Sequence, residues 1–147
     1  MHPLARFTPP HEAAHAIVAT VVGVKVMSIE VNFEDGSGAC QMKLNPESDF
    51  LDYVTIALAG PVASRAIRDP EWRSAASHDV REVRLALSKR YGSDNRPLVD
   101  YWAKRGGRRA WEILRTHRTQ WKALTRRLQR QEEWRDVLRS PTMYERG

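Results

Sequence analysis

The sequence predicts an α+β fold that is mostly α-helical, and three features lead to this expectation. Apolar residues recur at helical spacing through most of the chain. One pair of short segments instead alternates apolar and polar residues, which is the period of strands. The chain has 147 residues, enough for one domain to bury a core without disulfides. We therefore expect a single domain over residues 1–147, with its core at 8–92 and a C-terminal helical region at 99–139.

The first helix is expected to begin just before His11 and to end at Gly23. Pro9 and Pro10 suit a first helical turn, where a missing amide hydrogen leaves no bond unmade, and Thr8 is a candidate cap. Apolar residues lie on several sides of this segment. We therefore expect the first helix at the centre of the core.

A β-hairpin is predicted directly after that helix. Ile29, Val31 and Phe33 alternate with polar residues, a glycine-containing turn follows at 34–38, and a second alternation occupies 40–44. These features indicate two antiparallel strands beside the first helix. An exposed strand edge can hold an extended peptide by main-chain hydrogen bonds. A small structural sheet that covers one side of the core explains the same pattern.

The most apolar helix should begin at Asp49, capped by Ser48, and continue to Ile67. Its Gly60-Pro61 pair is expected to kink or divide it, because proline removes a main-chain hydrogen bond. Small side chains in the same stretch would let another helix approach closely, and they belong to Ala57, Ala59, Gly60 and Ala63.

A further helix is expected to open at Ser77-His78-Asp79, after a loop at 69–76, and to close at Gly92. A long helical region then runs from about Val99 to Arg139 with a break near Gly106-Gly107. This region carries one apolar stripe at helical spacing, formed by Leu114, His117, Trp121, Leu124 and Leu128. The stripe predicts that His117 is a packing residue.

The positive charge is concentrated in the C-terminal helical region. The whole chain has a net charge of +6, yet residues 104–139 alone hold 12 Lys or Arg against 4 Asp or Glu, a local charge of +8. Such a helix can bind nucleic acid or an acidic partner. A solvated helix face explains it more simply, and no nucleic-acid motif accompanies it, so we expect no nucleic-acid partner. The tryptophans of this region predict core or oligomer contacts.

Cysteine usage and hydropathy favour a cytoplasmic protein. Cys40 is the single cysteine, which rules out an internal disulfide and fits a reducing compartment. The longest apolar stretch, residues 16–24, is shorter than the roughly 20 residues that span a bilayer. No secretory signal is recognisable, so we expect no membrane association.

A His-Glu-x-x-His motif, His11-Glu12-Ala13-Ala14-His15, lies in the first predicted helix. Residues four apart share one helix face, so both imidazoles can bind one metal ion, and zinc is well suited to such ligands. Glu12 can then act as general base toward a water that the metal activates. An amphipathic helix that carries two histidines and an acid by chance is the alternative, which we disfavour.

A catalytic zinc site needs a third protein ligand. The candidates are His2, His78, Asp79, His117 and several acids. Asp79 is an attractive ligand because a carboxylate in the first turn of a helix points in a defined direction. However, aspartate is common at such positions simply because it interacts favourably with the helix dipole. His78 competes with Asp79, although neighbouring helical side chains point about 100° apart. The residues by themselves leave the third ligand open.

The order of several motifs resembles the zinc peptidase domain of the FtsH family. The matching segments are His11-Glu12-Ala13-Ala14-His15-Ala16, the hairpin, Leu58-Ala59-Gly60, Ala76-Ser77-His78-Asp79-Val80 and Tyr91-Gly92. The resemblance covers roughly residues 10–92 and implies a zincin-like helical domain with the hairpin beside the active-site helix. It further implies Zn2+ held by His11, His15 and Asp79, with Glu12 as the catalytic base. Pro61, Ser64 and Arg65 depart from the family, which has Arg and Glu residues there.

The resemblance predicts a zinc metallopeptidase without the ATPase that FtsH enzymes use to unfold substrates, because no phosphate-binding loop motif is present. We expect such an enzyme to cleave flexible peptide or protein segments, or to depend on a separate ATPase or adaptor partner. Two alternatives stay open. One is a catalytically silent relative that binds partners through its basic helix, and the other is a regulatory protease specific for one protein.

Overall fold

The computed structural model describes residues 2, 5–45 and 50–139, except for the side chains of residues 74 and 75. Within these residues the fold is α+β and mostly α, as the sequence predicts. The helices are α1 (Thr8–Val21), α2 (Phe50–Ala66), α3 (Trp72–Tyr91), α4 (Arg96–Thr116), α5 (Arg118–Gln129) and α6 (Arg135–Leu138). Strands β1 (Lys25–Val31) and β2 (Gly38–Lys43) form an antiparallel hairpin.

Helix α1 is the centre of the fold. Every residue from Pro9 to Thr20 is buried, and the helix contacts α2, α4, α5, α6 and both strands. Its alanines, which are small and favour helix, allow these neighbours to approach closely. At its end the amide of Gly23 donates to the carbonyl of Thr20, and that of Val24 to Ala19. Gly23 has a φ of +88°, so the predicted stop is confirmed as a glycine-terminated end.

The hairpin is fastened to the start of α1. Thr8 is the first residue of the helix, and its hydroxyl donates to the carbonyl of Gly36 in the hairpin turn at 2.6 Å. The expected capping role of Thr8 is therefore wrong, because its side chain bonds the turn instead of the helix. Gly38, which opens β2, lies so close to α1 that an added Cβ would be 2.6 Å from Thr8 Cγ2.

Helix α2 runs without interruption through Gly60 and Pro61, so the chain is not divided there. The predicted Ser48 cap lies outside the described residues. Gly60 does permit the predicted close approach of another helix, because it faces His11 and His15 of α1. Apolar residues of α2 also pack against α3 and α4 in a second core cluster, which consists of Val54, Leu58, Val83, Leu87 and Val99.

Helix α3 begins earlier than predicted. Residues from Trp72 onward are helical, so the expected loop at 69–76 and the expected helix start at Ser77-His78-Asp79 are wrong. The turn before α3 is set by Asp69, whose carboxylate accepts the Glu71 amide and whose carbonyl accepts the Trp72 amide. Asp79 therefore lies inside the helix, where the dipole argument for its position does not apply.

The C-terminal helical region breaks at a different place from the one predicted. Gly106 and Gly107 lie inside α4, and the chain turns at His117 between α4 and α5. An added Cβ at Gly106 would be 2.6 Å from Val54 Cγ1 of α2, so this glycine allows close helix packing. His117 is buried, which confirms it as a packing residue, and the whole predicted stripe is buried. No helix in the described ranges has the length and hydropathy needed to cross a bilayer.

Candidate metal centre

The two histidines of the motif converge on one point. His11 and His15 lie on successive turns of α1, with their ring centroids 5.0 Å apart. Their Nε2 atoms are 3.3 Å apart. Both residues are more than nine-tenths buried, with 8% and 7% of their surface exposed. The spacing of four residues therefore places two imidazole nitrogens within reach of a single ion.

Asp79 of α3 completes a triangle of atoms with the two histidines. Its Oδ2 atom is 3.1 Å from His11 Nε2 and 3.1 Å from His15 Nε2. Ligands that bind zinc tetrahedrally at about 2.0–2.1 Å are separated from one another by about 3.3 Å. The spacing of these three atoms fits one tetrahedral ion. The equal distances distinguish Asp79 from His78, whose side chain is exposed.

The other ring nitrogen of each histidine is held by α2. His15 Nδ1 donates to the main-chain carbonyl of Ile56 at 2.7 Å. A carbonyl only accepts, so the proton of neutral His15 lies on Nδ1 and its Nε2 carries a lone pair directed at Asp79. His11 Nδ1 shares a 2.7 Å hydrogen bond with Ser64 Oγ, and Ser64 is fully buried. Such outer contacts orient metal-binding histidines in known zinc sites.

A proton or a cation is favoured between the two histidines and Asp79. A neutral His15 Nε2 and the Asp79 carboxylate are both acceptors, so at 3.1 Å they need a proton or a cation between them. Burial alone lowers the pKa of His15, but the hydrogen bond and charge of Asp79 overcome it and raise this pKa. Burial likewise opposes ionisation of Asp79, yet hydrogen bonds from both histidines lower its pKa. These groups are therefore suited to hold either a shared proton or a cation between them.

Gly60 leaves space in front of both histidines. A Cβ built on Gly60 would lie 2.4 Å from His11 Nε2 and 2.4 Å from His15 Nε2. These are the two atoms whose lone pairs would bind a metal, and any side chain at position 60 would occupy the space before them. The absence of a side chain at Gly60 is thus a second feature compatible with a metal ion, after the triangle of His11, His15 and Asp79 atoms.

Glu12 lies beside the triangle without belonging to it. Its Oε1 is 3.8 Å from His11 Nε2, farther than Asp79 Oδ2. Its donor atom nonetheless clusters with those of His11 and His15, so Glu12 is the alternative third ligand. Burial raises the pKa of Glu12, and the nearby histidines offset this only in part. A buried carboxyl of raised pKa next to a metal position suits a proton acceptor.

A cleft of about 430 Å³ leads to these residues from the hairpin side. Glu12, His15 and Asp79 line one part of it, and residues of β2 line another. In the described chain β2 pairs with β1 alone, so its second edge is not covered by a strand. An extended chain in the cleft would lie along this edge, close to the histidines.

The structure brings together all four predicted site residues, and it adds three residues for which no role in the site was predicted. Ile56 and Ser64 hold the histidine rings, and Gly60 provides space. The sequence could have indicated Ser64, since it is a polar residue in the most apolar helix. It could not have indicated Ile56, because this residue contacts His15 through its main chain. Comparison of the chain with protein-family models, with curated proteins and with solved structures finds no match.

Proposed function

We propose that this protein is a zinc metallopeptidase related to the FtsH peptidase domain, which hydrolyses peptide bonds in flexible segments. The observation that supports it most is the triangle of His11 Nε2, His15 Nε2 and Asp79 Oδ2, with edges of 3.3, 3.1 and 3.1 Å. A triangle of these dimensions, made of two nitrogens and one carboxylate oxygen, suits a catalytic zinc ion that keeps a further position open.

Each protein group has a distinct task in this proposal. His11, His15 and Asp79 would hold the ion, while Ile56 and Ser64 keep the two rings oriented. Zinc bound there would act as a Lewis acid on water and on the substrate carbonyl. Glu12 would accept a proton from the attacking water and pass it to the nitrogen of the departing amine. Burial raises its pKa above that of an ordinary carboxyl, which makes its carboxylate a stronger proton acceptor.

The cleft limits the substrate to extended chain. Its volume of about 430 Å³ accommodates a short peptide segment but no folded domain. The uncovered edge of β2 would bind the substrate main chain, because main-chain hydrogen bonds do not depend on the side chains of the peptide. Flexible segments are therefore the proposed substrates, and folded proteins would need prior unfolding.

Metal analysis is the first test. Protein purified without chelators should contain about one zinc ion per chain. The His11→Ala variant should lose this zinc, whereas His78→Ala, which removes the exposed histidine next to Asp79, should keep it. Wild-type protein without zinc after growth with added zinc would contradict the proposal, and so would equal zinc in His11→Ala and wild type.

Peptide cleavage is the second test. Wild-type protein should release fluorescence from labelled casein, an unfolded substrate, and a chelator should stop the release. Glu12→Gln keeps the size of the side chain but removes the base, so it should retain zinc and cleave about 10²–10⁴ times more slowly. Equal cleavage rates of wild type and Glu12→Gln would show that Glu12 is not the base.

A further inference from the structure

A second cleft, which we term the basic groove, is lined by residues of α4 and α5, the start of α1 and the end of α2. Its volume is about 1060 Å³, and it shares no lining residue with the cleft at the metal centre. Six of its lining residues are cationic, and they are Arg6, Arg68, Arg115, Arg118, Lys122 and Arg126. Among the residues that the structure describes, no acidic side chain lines it. The groove therefore concentrates positive charge in a concave surface.

Other arginines of the C-terminal helical region have acidic partners. Arg109 pairs with Asp52, and Arg127 pairs with Asp136. In the described part of the chain, none of the six forms an ion pair. Lys122 lies four residues from both Arg118 and Arg126 on α5, a spacing at which like charges destabilise a helix. An anionic ligand in the groove would relieve this repulsion.

The groove also offers an apolar contact. Trp111 of α4 lines it and is 38% exposed, although tryptophan is usually more buried in a monomer. Tryptophan and arginine are the residue types that contribute most to the stability of protein–protein interfaces. An exposed tryptophan among arginines therefore fits a ligand that combines negative charge with a large apolar side chain.

The remaining aromatic rings of the groove argue against single-stranded nucleic acid. Binding of successive bases requires several accessible rings. Phe7 is covered by the guanidinium of Arg6, 4.7 Å from the ring centroid. Trp121 is only 9% exposed and donates its indole N–H to the carbonyl of Pro10 at 2.9 Å. Trp111 is thus the one ring among the described lining residues that is left for stacking.

We propose that the basic groove binds an acidic segment of a partner protein, with a large apolar side chain of that segment placed on Trp111. The inference goes beyond the proposed peptidase activity and does not require a metal. Pro10, in the groove wall, directly precedes His11, so a partner bound here would sit at the start of the helix that carries the metal centre. Such a partner could be held close to the enzyme while its flexible parts enter the other cleft.

Fluorescence anisotropy with a labelled synthetic peptide tests the proposal. The probe is a glutamate-rich peptide with one tryptophan, and its counterpart has glutamine at every glutamate. The glutamate peptide should bind at least about tenfold more tightly than the glutamine peptide, and added salt should weaken it. Arg118→Glu with Lys122→Glu should weaken binding about tenfold or more. Lys104→Glu with Arg108→Glu, an equal change of charge on α4 outside the groove, should have little effect.

Two further variants separate this proposal from its alternatives. Trp111→Ala should weaken binding of the glutamate peptide. Tyr101→Ala, which removes another exposed ring of α4, should leave this binding unchanged. His11→Ala should leave binding of the glutamate peptide unchanged, because His11 does not line the groove. The binding test is therefore independent of whether the protein is a peptidase. Three results would overturn the proposal. They are equal binding of the two peptides, equal loss of binding in the groove and control double variants, and tighter binding of oligo-dT than of the glutamate peptide. Circular dichroism of each variant confirms that it is folded.

Discussion

Ser64 on α2 and His11 on α1 are joined by a 2.7 Å hydrogen bond between Ser64 Oγ and His11 Nδ1, although 53 positions separate them in sequence. The bond restrains the imidazole so that its Nε2 faces Asp79. Because α2 also holds His15 through the Ile56 carbonyl, one helix orients both proposed ligands. The geometry of the candidate metal centre thus depends on the packing of α1 against α2 as much as on the motif within α1.

The Ser64→Ala variant should bind zinc about 10- to 100-fold more weakly than wild type, because a ligand without its outer hydrogen bond is less well oriented. Competition with a chromophoric chelator measures this affinity. Ser28→Ala removes a hydroxyl that bonds Gln41 in the exposed hairpin, and it serves as the matched control with unchanged affinity. Equal affinities of Ser64→Ala and Ser28→Ala would show that the bond to His11 does not support the site.

Gly60→Ala should abolish zinc binding, because its methyl group would lie 2.4 Å from both histidine Nε2 atoms and would displace them. Gly107→Ala is the same exchange within a helix, but its Cβ would meet only Val62 Cγ2 at 3.8 Å. That control should keep zinc and gain up to about 1 kcal/mol of helix stability. Zinc content and thermal melting of both variants test the prediction, and zinc at the wild-type level in Gly60→Ala would refute it.

The elements could be predicted from sequence where a local signal determined them. Proline at the start of α1 and Gly23 at its end are such signals, as is the alternation in the hairpin, and the structure confirms these elements. The predicted helix break near Gly106 and the predicted helix start near Asp79 were wrong, because glycine and aspartate also occur inside helices where tertiary contacts require them. Gly106 allows α4 to pack on α2 instead of ending a helix, and Asp79 faces two histidines instead of starting one.

The candidate site shows a similar division. The convergence of His11 and His15 follows from helical spacing alone, because residues four apart lie on one face, and Glu12 is next to His11 in the sequence. Ser64, Gly60 and the Ile56 carbonyl depend on how α2 crosses α1, and no pattern within either helix determines that contact. The choice of Asp79 as the proposed third ligand also required tertiary structure. Asp79 and His78 are neighbours, and only the orientation of α3 places Asp79 Oδ2 at 3.1 Å from Nε2 of both histidines.

Metal-free and zinc-loaded protein should respond to pH in opposite directions. In the metal-free protein the pKa of His15 is raised above its ordinary value of 6.5, because the effect of Asp79 exceeds that of burial. Its stabilising contribution is therefore complete below 6.5 and disappears as the pH rises through the folded-state pKa. Zinc, in contrast, requires unprotonated imidazoles, so its stabilising effect should grow over the same range.

Urea unfolding of chelator-treated and zinc-saturated protein between about pH 6 and pH 8 measures this difference. The free energy of unfolding should fall with pH in the first sample and rise in the second. The His15→Gln variant should lose both trends, because it removes the group that titrates and binds. Parallel trends in the two wild-type samples would contradict the assignment of His15 as a ligand.

Gly38 should affect catalysis without affecting metal content. A Cβ at this position would lie 2.9 Å from Glu12 Cγ and 2.6 Å from Thr8 Cγ2, whereas no metal-binding atom is among its nearest neighbours. Gly38→Ala should therefore shift Glu12, retain zinc and reduce kcat about 10- to 100-fold, because a general base displaced by a fraction of an ångström transfers protons poorly. The Gly107→Ala variant, the same exchange in α4 outside the cleft, should keep wild-type kcat. Loss of zinc in Gly38→Ala would mean that Glu12 is itself a ligand, and an unchanged kcat would remove Glu12 from the reaction.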